Sequence, residues 1–96
     1  EVIDWTRDAK AIVAQINALN PRPGACFEHK GEKIKIWKAS HGSGDGEPGL
    51  VMNDQLQVAC GKGSIFVEEI QRPGKKIQQI KIFLLGFAIP ESTLLN

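Results

Sequence analysis

The sequence predicts a mainly β fold: a small antiparallel barrel or sandwich preceded by one α-helix, with a short second helix near the C-terminus. Three observations lead there. Ninety-six residues suffice for a single domain, with a core of about 15 to 20 side chains. Apolar residues recur at helical spacing near the start, up to Leu19. After Gly24 they alternate instead, and Gly, Pro, Asn and Asp interrupt the alternation every few residues, as turns between short strands do. Closing such a sheet protects its edges.

The helix is expected over about 6–19. Thr6 is a candidate cap, and Asp8 in the first turn suits the positive end of the helix dipole. Ala9, Ile12, Val13, Ile16 and Leu19 form one apolar stripe, and Ile3 and Trp5 precede the cap as a hydrophobic staple. Asn20-Pro21 ends the helix, because a residue before proline avoids the α region. Asn20-Pro21-Arg22-Pro23-Gly24 is then a stiff turn that aims the first strand and presents Arg22 between two prolines.

The barrel is expected over about 25–86. ACFEH is a short strand, Lys30-Gly31-Glu32 a turn, and KIKIWKA a strand with Ile34 and Ile36 on one face and Lys33, Lys35 and Trp37 on the other. HGSGDGEPG (41–49), with His41, is a flexible loop. GLVMN and LQVAC flank a turn at Asn53-Asp54, and Gly61-Lys62-Gly63 makes the next. In SIFVEEIQ strict alternation puts Ile65 and Val67 on one face and Phe66, Glu68 and Ile70 on the other. Residues 77–85 fit either a helix with Ile77, Ile80, Phe83 and Leu84 on one stripe or a closing strand, and the helix is preferred. The apolar tail FAIPESTLLN is expected to be exposed.

Twelve Lys and Arg against eleven Asp and Glu leave a net charge of +1, so distribution says more than balance. Lys30, Lys33, Lys35 and Lys38 make one basic segment; Arg72, Lys75, Lys76 and Lys81 make another; residues 41–61 between them hold Asp45, Glu47 and Asp54 and no Lys or Arg. Folding can bring the two together on one face, or leave each as ordinary solvated surface. No apolar run is long enough to span a membrane, and no secretion leader is visible. The opening EVIDWT, without methionine, is expected of a piece of a longer chain. Cys26 and Cys60 lie in apolar runs with no CxxC partner, which suits free thiols in a reducing cytosol, a single disulfide between them being the alternative.

Little catalytic chemistry is legible. His29 and His41 lack metal-ligand spacing, and no nucleophile stands beside a base. GSGDGEPG lacks the Lys-Ser/Thr and following helix of a phosphate loop. What remains is KGEKIKIWK, a cationic strand face with one aromatic. Lysines on such a face track phosphates and a ring can stack on a base. Trp37 alternatively packs beneath the first helix.

Several segments together resemble the C-terminal domain of methionyl-tRNA formyltransferases. They are the entry Ile3-Asp4-Trp5-Thr6, the exit Ala18-Leu19-Asn20-Pro21-Arg22-Pro23-Gly24-Ala25, GEKIKIWKA, Pro48-Gly49, LQVACGKGSIFVEEIQ, and Pro73-Gly74-Lys75-Lys76 ahead of FLLG. The likeness covers residues 3–86 and implies an OB-like antiparallel barrel. It also implies a preceding Rossmann-like catalytic domain in the same chain, which uses 10-formyltetrahydrofolate and an Asn-His-Asp constellation to formylate the methionine of initiator tRNA. None of those catalytic motifs occurs here, so the fragment alone carries no catalytic residue, cofactor or metal. The resemblance gives this domain the task of holding tRNA; the net charge of only +1 and the absence of tyrosine and of an RNP1-like aromatic pattern make that binding weak and without sequence preference. The candidates are Arg22, Lys33, Lys35, Lys38, Lys62, Lys75 and Lys76, with Trp37 as a stacking ring. It implies a monomer, cytoplasmic in bacteria or organellar. The alternative is a structural C-terminal domain of a folate- or sugar-formyltransferase with no RNA contact.

Overall fold

A computed structural model describes residues 1–95. The elements run α1 (Ala9–Leu19), β1 (Ala25–His29), β2 (Glu32–Gly42), β3 (Gln57–Ala59), β4 (Ser64–Gln71), β5 (Gln78–Gln79) and α2 (Ile80–Gly86). The expected mainly β class with two helices is what forms, and the sheet curves as an antiparallel half-barrel. Its order is β1-β2-β4-β3, with β5 also on β4.

The helix starts later than expected. Asp4 claims Thr6: its Oδ1 accepts from the Thr6 hydroxyl at 2.6 Å and the Thr6 amide at 3.0 Å. A side chain closed into such a turn cannot also cap. Asp8 caps instead, accepting from the Lys10 amide at 3.0 Å. The stripe behaves as its spacing requires. Ala9, Ile12 and Ile16 are buried, and Val13 and Leu19 pack partly against the core. Ile3 and Trp5 are buried too, and the Trp5 ring tilts against Phe27 with centroids 6.4 Å apart. Each fully buried isoleucine contributes roughly 1.5–3 kcal/mol relative to exposure.

The β1–β2 hairpin turns at Lys30 (φ 54) and Gly31 (φ 76), the doubly left-handed geometry that matches strand twist. β2 then runs on to Gly42, so His41 lies in the strand opposite Ile65 rather than in the glycine loop. The loop beyond is tethered. Asp45 Oδ1 accepts from the Gly63 amide at 2.7 Å, and the Ser43 carbonyl accepts from Gln57 Nε2 at 2.7 Å.

Between β2 and β4 the register slips on both sides of Lys38: Ile36 faces Ile70, Lys38 faces Glu69, and Ala39 faces Val67. Trp37 and Glu68 are left without partners in the ladder. This paired bulge brings Ile70 into the core with Ile65 and Val67, against the strict alternation expected from the sequence.

Both readings of residues 77–85 hold in part. Gln78 and Gln79 pair with β4, and the helix begins at Ile80. Ile77 therefore lies ahead of the helix and is exposed, while Phe83 enters the core. The segment expected as a strand at GLVMN contributes isolated bridges: Leu50 with Leu94 and Val51 with Val58. The tail docks rather than dangling. Val51 donates to Thr93 and accepts from Ser92, both at 2.8 Å, and Phe87, Ile89 and Leu95 are buried. At the other edge Val2 bridges Cys26. The two chain ends thus cover the two edges of the half-barrel, serving the purpose closure would have served. Both cysteines are free, Cys60 buried and Cys26 half-buried. Burial, with the charge of Asp8, pushes the Cys60 thiol up to about 11.

Candidate nucleic-acid interface

The interface begins at the turn after α1. The Gly24 amide closes it on the Leu19 carbonyl at 2.9 Å, and both X-Pro bonds in Asn20–Pro23 are cis. Gly24 has φ 84, and a Cβ there would collide with the Lys35 side chain. Lys35 uses that space to cross the turn, and its ammonium donates to the Pro21 carbonyl. The same ammonium stands 4.0 Å from the centroid of the Trp37 ring. A cation over an indole face is stabilised by about 0.5–1 kcal/mol where solvent reaches it.

Trp37 is the bulged residue of β2, half-buried on the outer face of the sheet. Its carbonyl accepts from Asn20 Nδ2 at 2.9 Å, and its indole N–H donates to Gln71 Oε1 at 2.7 Å. Gln71, opposite Lys35 in the register, passes the connection on: its amide donates to the Lys75 carbonyl at 2.7 Å. A continuous series of contacts therefore runs from Pro21 through Lys35, Trp37 and Gln71 to Lys75. It joins the proline turn carrying Arg22 to the loop carrying Lys75 and Lys76, and all three of those cations are exposed.

The other candidates fall around this centre or away from it. Lys33 is exposed on the same face, directly across from Glu28. Lys38 lies past the bulge and approaches Glu68 at 3.7 Å, a solvent-exposed pair worth at most about 1 kcal/mol. Lys62 is not brought to this surface. Ser64 faces Gly42 while Gln71 faces Lys35, which puts Lys62 about 20 Å away along β4. Its carbonyl accepts from the Ala9 amide at 2.9 Å.

Two polar partners were not legible as site residues. Gln71 is the hub, and Arg72 is a clamp rather than a free cation. Arg72 grips both carboxylate oxygens of Glu32 at 2.9 and 2.6 Å, and its guanidinium lies 4.6 Å from the Phe87 centroid. That hydrogen bonding holds the Glu32 carboxyl below its usual range and raises Arg72 above its own. Both assignments require the β2–β4 register, which no local pattern supplies.

The arrangement suits a polyanion. Lys35 is held within this series of contacts, Arg22, Lys75 and Lys76 are exposed on the segments it joins, and each phosphate that such cations neutralise releases counterions. The Trp37 ring already carries an ammonium on one face, so a base stacks there only by displacing Lys35 or by using the other side.

Residues 1–88 match the family described as "Formyl transferase, C-terminal domain". A protein named methionyl-tRNA formyltransferase from Ruegeria pomeroyi is 45% identical over 97% of this chain and 31% of its own length. One from Pelagibacter ubique is 48% identical over 91% of this chain and 28% of its own length. The chain thus spans less than a third of these curated relatives. Among solved structures, HypX from Aquifex aeolicus superposes with a TM-score of 0.74 at 18% identity, covering 95% of this chain and 18% of that one. At that identity the likeness speaks for the fold. The chain belongs to the formyl transferase C-terminal domain family.

Proposed function

We propose that this domain is the non-catalytic, tRNA-holding part of a methionyl-tRNA formyltransferase. The observation that supports the proposal is the series of contacts from Pro21 to Lys75, which links the segments that carry Arg22, Lys35, Lys75 and Lys76. The relatives' names supply the substrate. The domain binds the phosphate backbone of initiator tRNA weakly, without reading bases, and acts as part of a monomeric cytoplasmic or organellar enzyme of translation initiation. Neutralising about 4 to 6 phosphates gives micromolar or poorer affinity at physiological salt. The formyl donor, 10-formyltetrahydrofolate, and the catalytic groups belong to the portion of the longer enzyme outside this chain, and no step is assigned to residues here.

The test is formylation of Met-tRNA by the full-length enzyme carrying Lys35→Glu and Lys75→Glu. The expected result is a higher KM for the tRNA, by about tenfold, with kcat little changed. Unaltered KM overturns the proposal.

A second reading is a structural C-terminal domain of a folate- or sugar-formyltransferase that touches no RNA. It is favoured by the acids interleaved in the surface, Glu28 across from Lys33 and Glu68 beside Lys38. One HypX structure of the same fold is described as a complex with tetrahydrofolic acid.

A further inference from the structure

Gly86 ends α2 with no structural need to be glycine. Its φ lies outside the left-handed region, and a Cβ there would meet nothing within 4 Å. The helix is closed by the next residue instead: Phe87 is extended (φ -149), and its amide donates to the Phe83 carbonyl at 3.0 Å. Glycine weakens a helix relative to alanine. What its missing side chain leaves is room. Gly86 lines a cavity of about 330 Å³ between α2 and the loop after β4, at the low end of the roughly 300–1,000 Å³ of small-ligand sites. One side of the cavity is apolar: Ile82, 56% exposed, with the buried Phe83 and Phe87 behind it. The other side is Arg72, Lys75 and Lys76. Among the described residues no Asp or Glu lines it. The neighbouring acids are engaged elsewhere, Glu32 by Arg72 and Glu69 by Gln79 Nε2 at 3.3 Å. Arg72 is therefore matched by Glu32, and Lys75 and Lys76 supply the excess positive charge.

An open apolar wall beside two free ammonium groups suits a ligand that is apolar on one side and anionic on the other. A duplex backbone offers only the charge; an unstacked nucleotide offers both. The cavity also adjoins the cationic surface, because the Lys75 carbonyl is held by Gln71, which holds the Trp37 indole. We propose that the cavity takes one unstacked nucleotide of the tRNA, with its base against Ile82, Phe83 and Gly86 and its phosphate on Lys75 and Lys76. The base is gripped by its face and not read by its edge, so the contact tolerates any sequence. The proposal rests on this domain holding tRNA.

The experiment uses the full-length enzyme and initiator Met-tRNA. Gly86→Leu fills the cavity, changes no charge and puts a good helix former into open space, so it should melt no lower than the parent. The expected result is a KM for the tRNA raised about fivefold or more, the loss of one stacked base, with kcat little changed. No ionic contact is removed, so that factor should be the same at low and moderate salt, whereas the effect of Lys75→Glu should shrink as salt rises. Ultraviolet crosslinking with peptide mapping reads the same contact in the unsubstituted enzyme, whether or not the variant folds: a base should join the segment 82–87. An unchanged KM in a folded Gly86→Leu enzyme overturns the proposal, and so does crosslinking that spares 82–87. If Lys35→Glu still raises KM in that case, the tRNA-holding function stands and only the nucleotide site fails. A KM insensitive to both Gly86→Leu and Lys35→Glu overturns both.

Discussion

The indole of Trp37 and the carboxamide of Gln71 meet at 2.7 Å across the β2–β4 bulge, and the other end of that carboxamide holds the Lys75 carbonyl at 2.7 Å. One glutamine thus ties the aromatic at the centre of the cationic surface to the loop that carries half its charge. Gln71→Leu breaks both hydrogen bonds and strands a half-buried indole N–H. It is expected to cost about 1–2 kcal/mol in urea unfolding and to weaken tRNA binding several-fold. Unchanged binding with lowered stability would remove Gln71 from the interface and leave it a structural residue.

Gly24 and Gly31 separate two causes of glycine dependence. Both have positive φ, 84 and 76, but a Cβ at Gly24 would strike the Lys35 side chain, whereas at Gly31 it would meet nothing. Gly31→Ala is expected to cost about 1–2 kcal/mol for the backbone alone. Gly24→Ala adds a contact with the flexible end of Lys35, which swings away at little further cost, so the two variants should melt at similar temperatures. Gly24→Ala alone should reduce tRNA affinity, by dislodging Lys35 from the Pro21 carbonyl.

The local parts of this fold were legible because local chemistry sets them. The α1 stripe, the left-handed Lys30-Gly31 turn and the alternation of Ile34 and Ile36 against Lys33 and Lys35 all follow from periodicity within a few residues. What escaped required a partner far along the chain. The bulge that turns Ile70 inward depends on how β2 and β4 slide against each other, and the Arg72–Glu32 clamp joins residues forty apart. Thr6 lost the cap to Asp8 because Asp4 had already engaged it. The tail, apolar yet short, gave no sign that the open edge at Gly49–Val51 awaited it. For the interface, the strand face was readable from spacing, but the hub at Gln71 and the separation of Lys62 were not.

Glu32 makes stability depend on acid. Its folded carboxyl lies below the ordinary 4.5 because Arg72 hydrogen-bonds its charged form. The contribution is therefore complete above the unfolded value near 4.5 and is lost as pH falls through the folded value. In thermal melts between pH 7 and pH 3, Glu32→Gln should be less stable than the parent at neutral pH and should converge with it in acid. A constant difference across the range would contradict the clamp.

Cys60 gives the opposite limb. Its thiol is pushed from the ordinary 9.0 to about 11, so the folded state favours the neutral form. That stabilisation is full below pH 9 and fades as pH rises toward 11. At pH 8 the half-buried Cys26 should react with a thiol reagent while Cys60 stays protected in the native protein. Equal labelling would show that the barrel opens around Cys60.

The most direct test of the cationic surface is a titration of this domain with initiator tRNA at low and moderate salt. It is read by tryptophan fluorescence and repeated with Lys35→Glu, with Lys75→Glu and Lys76→Glu together, and with Lys62→Glu. The predicted result is binding that weakens with salt, falls by about tenfold with each of the first two changes, and is little affected by Lys62→Glu at the far end of β4. Binding that ignores Lys35 and Lys75, or no binding even at low salt, would contradict the assignment and put tRNA recognition outside this domain.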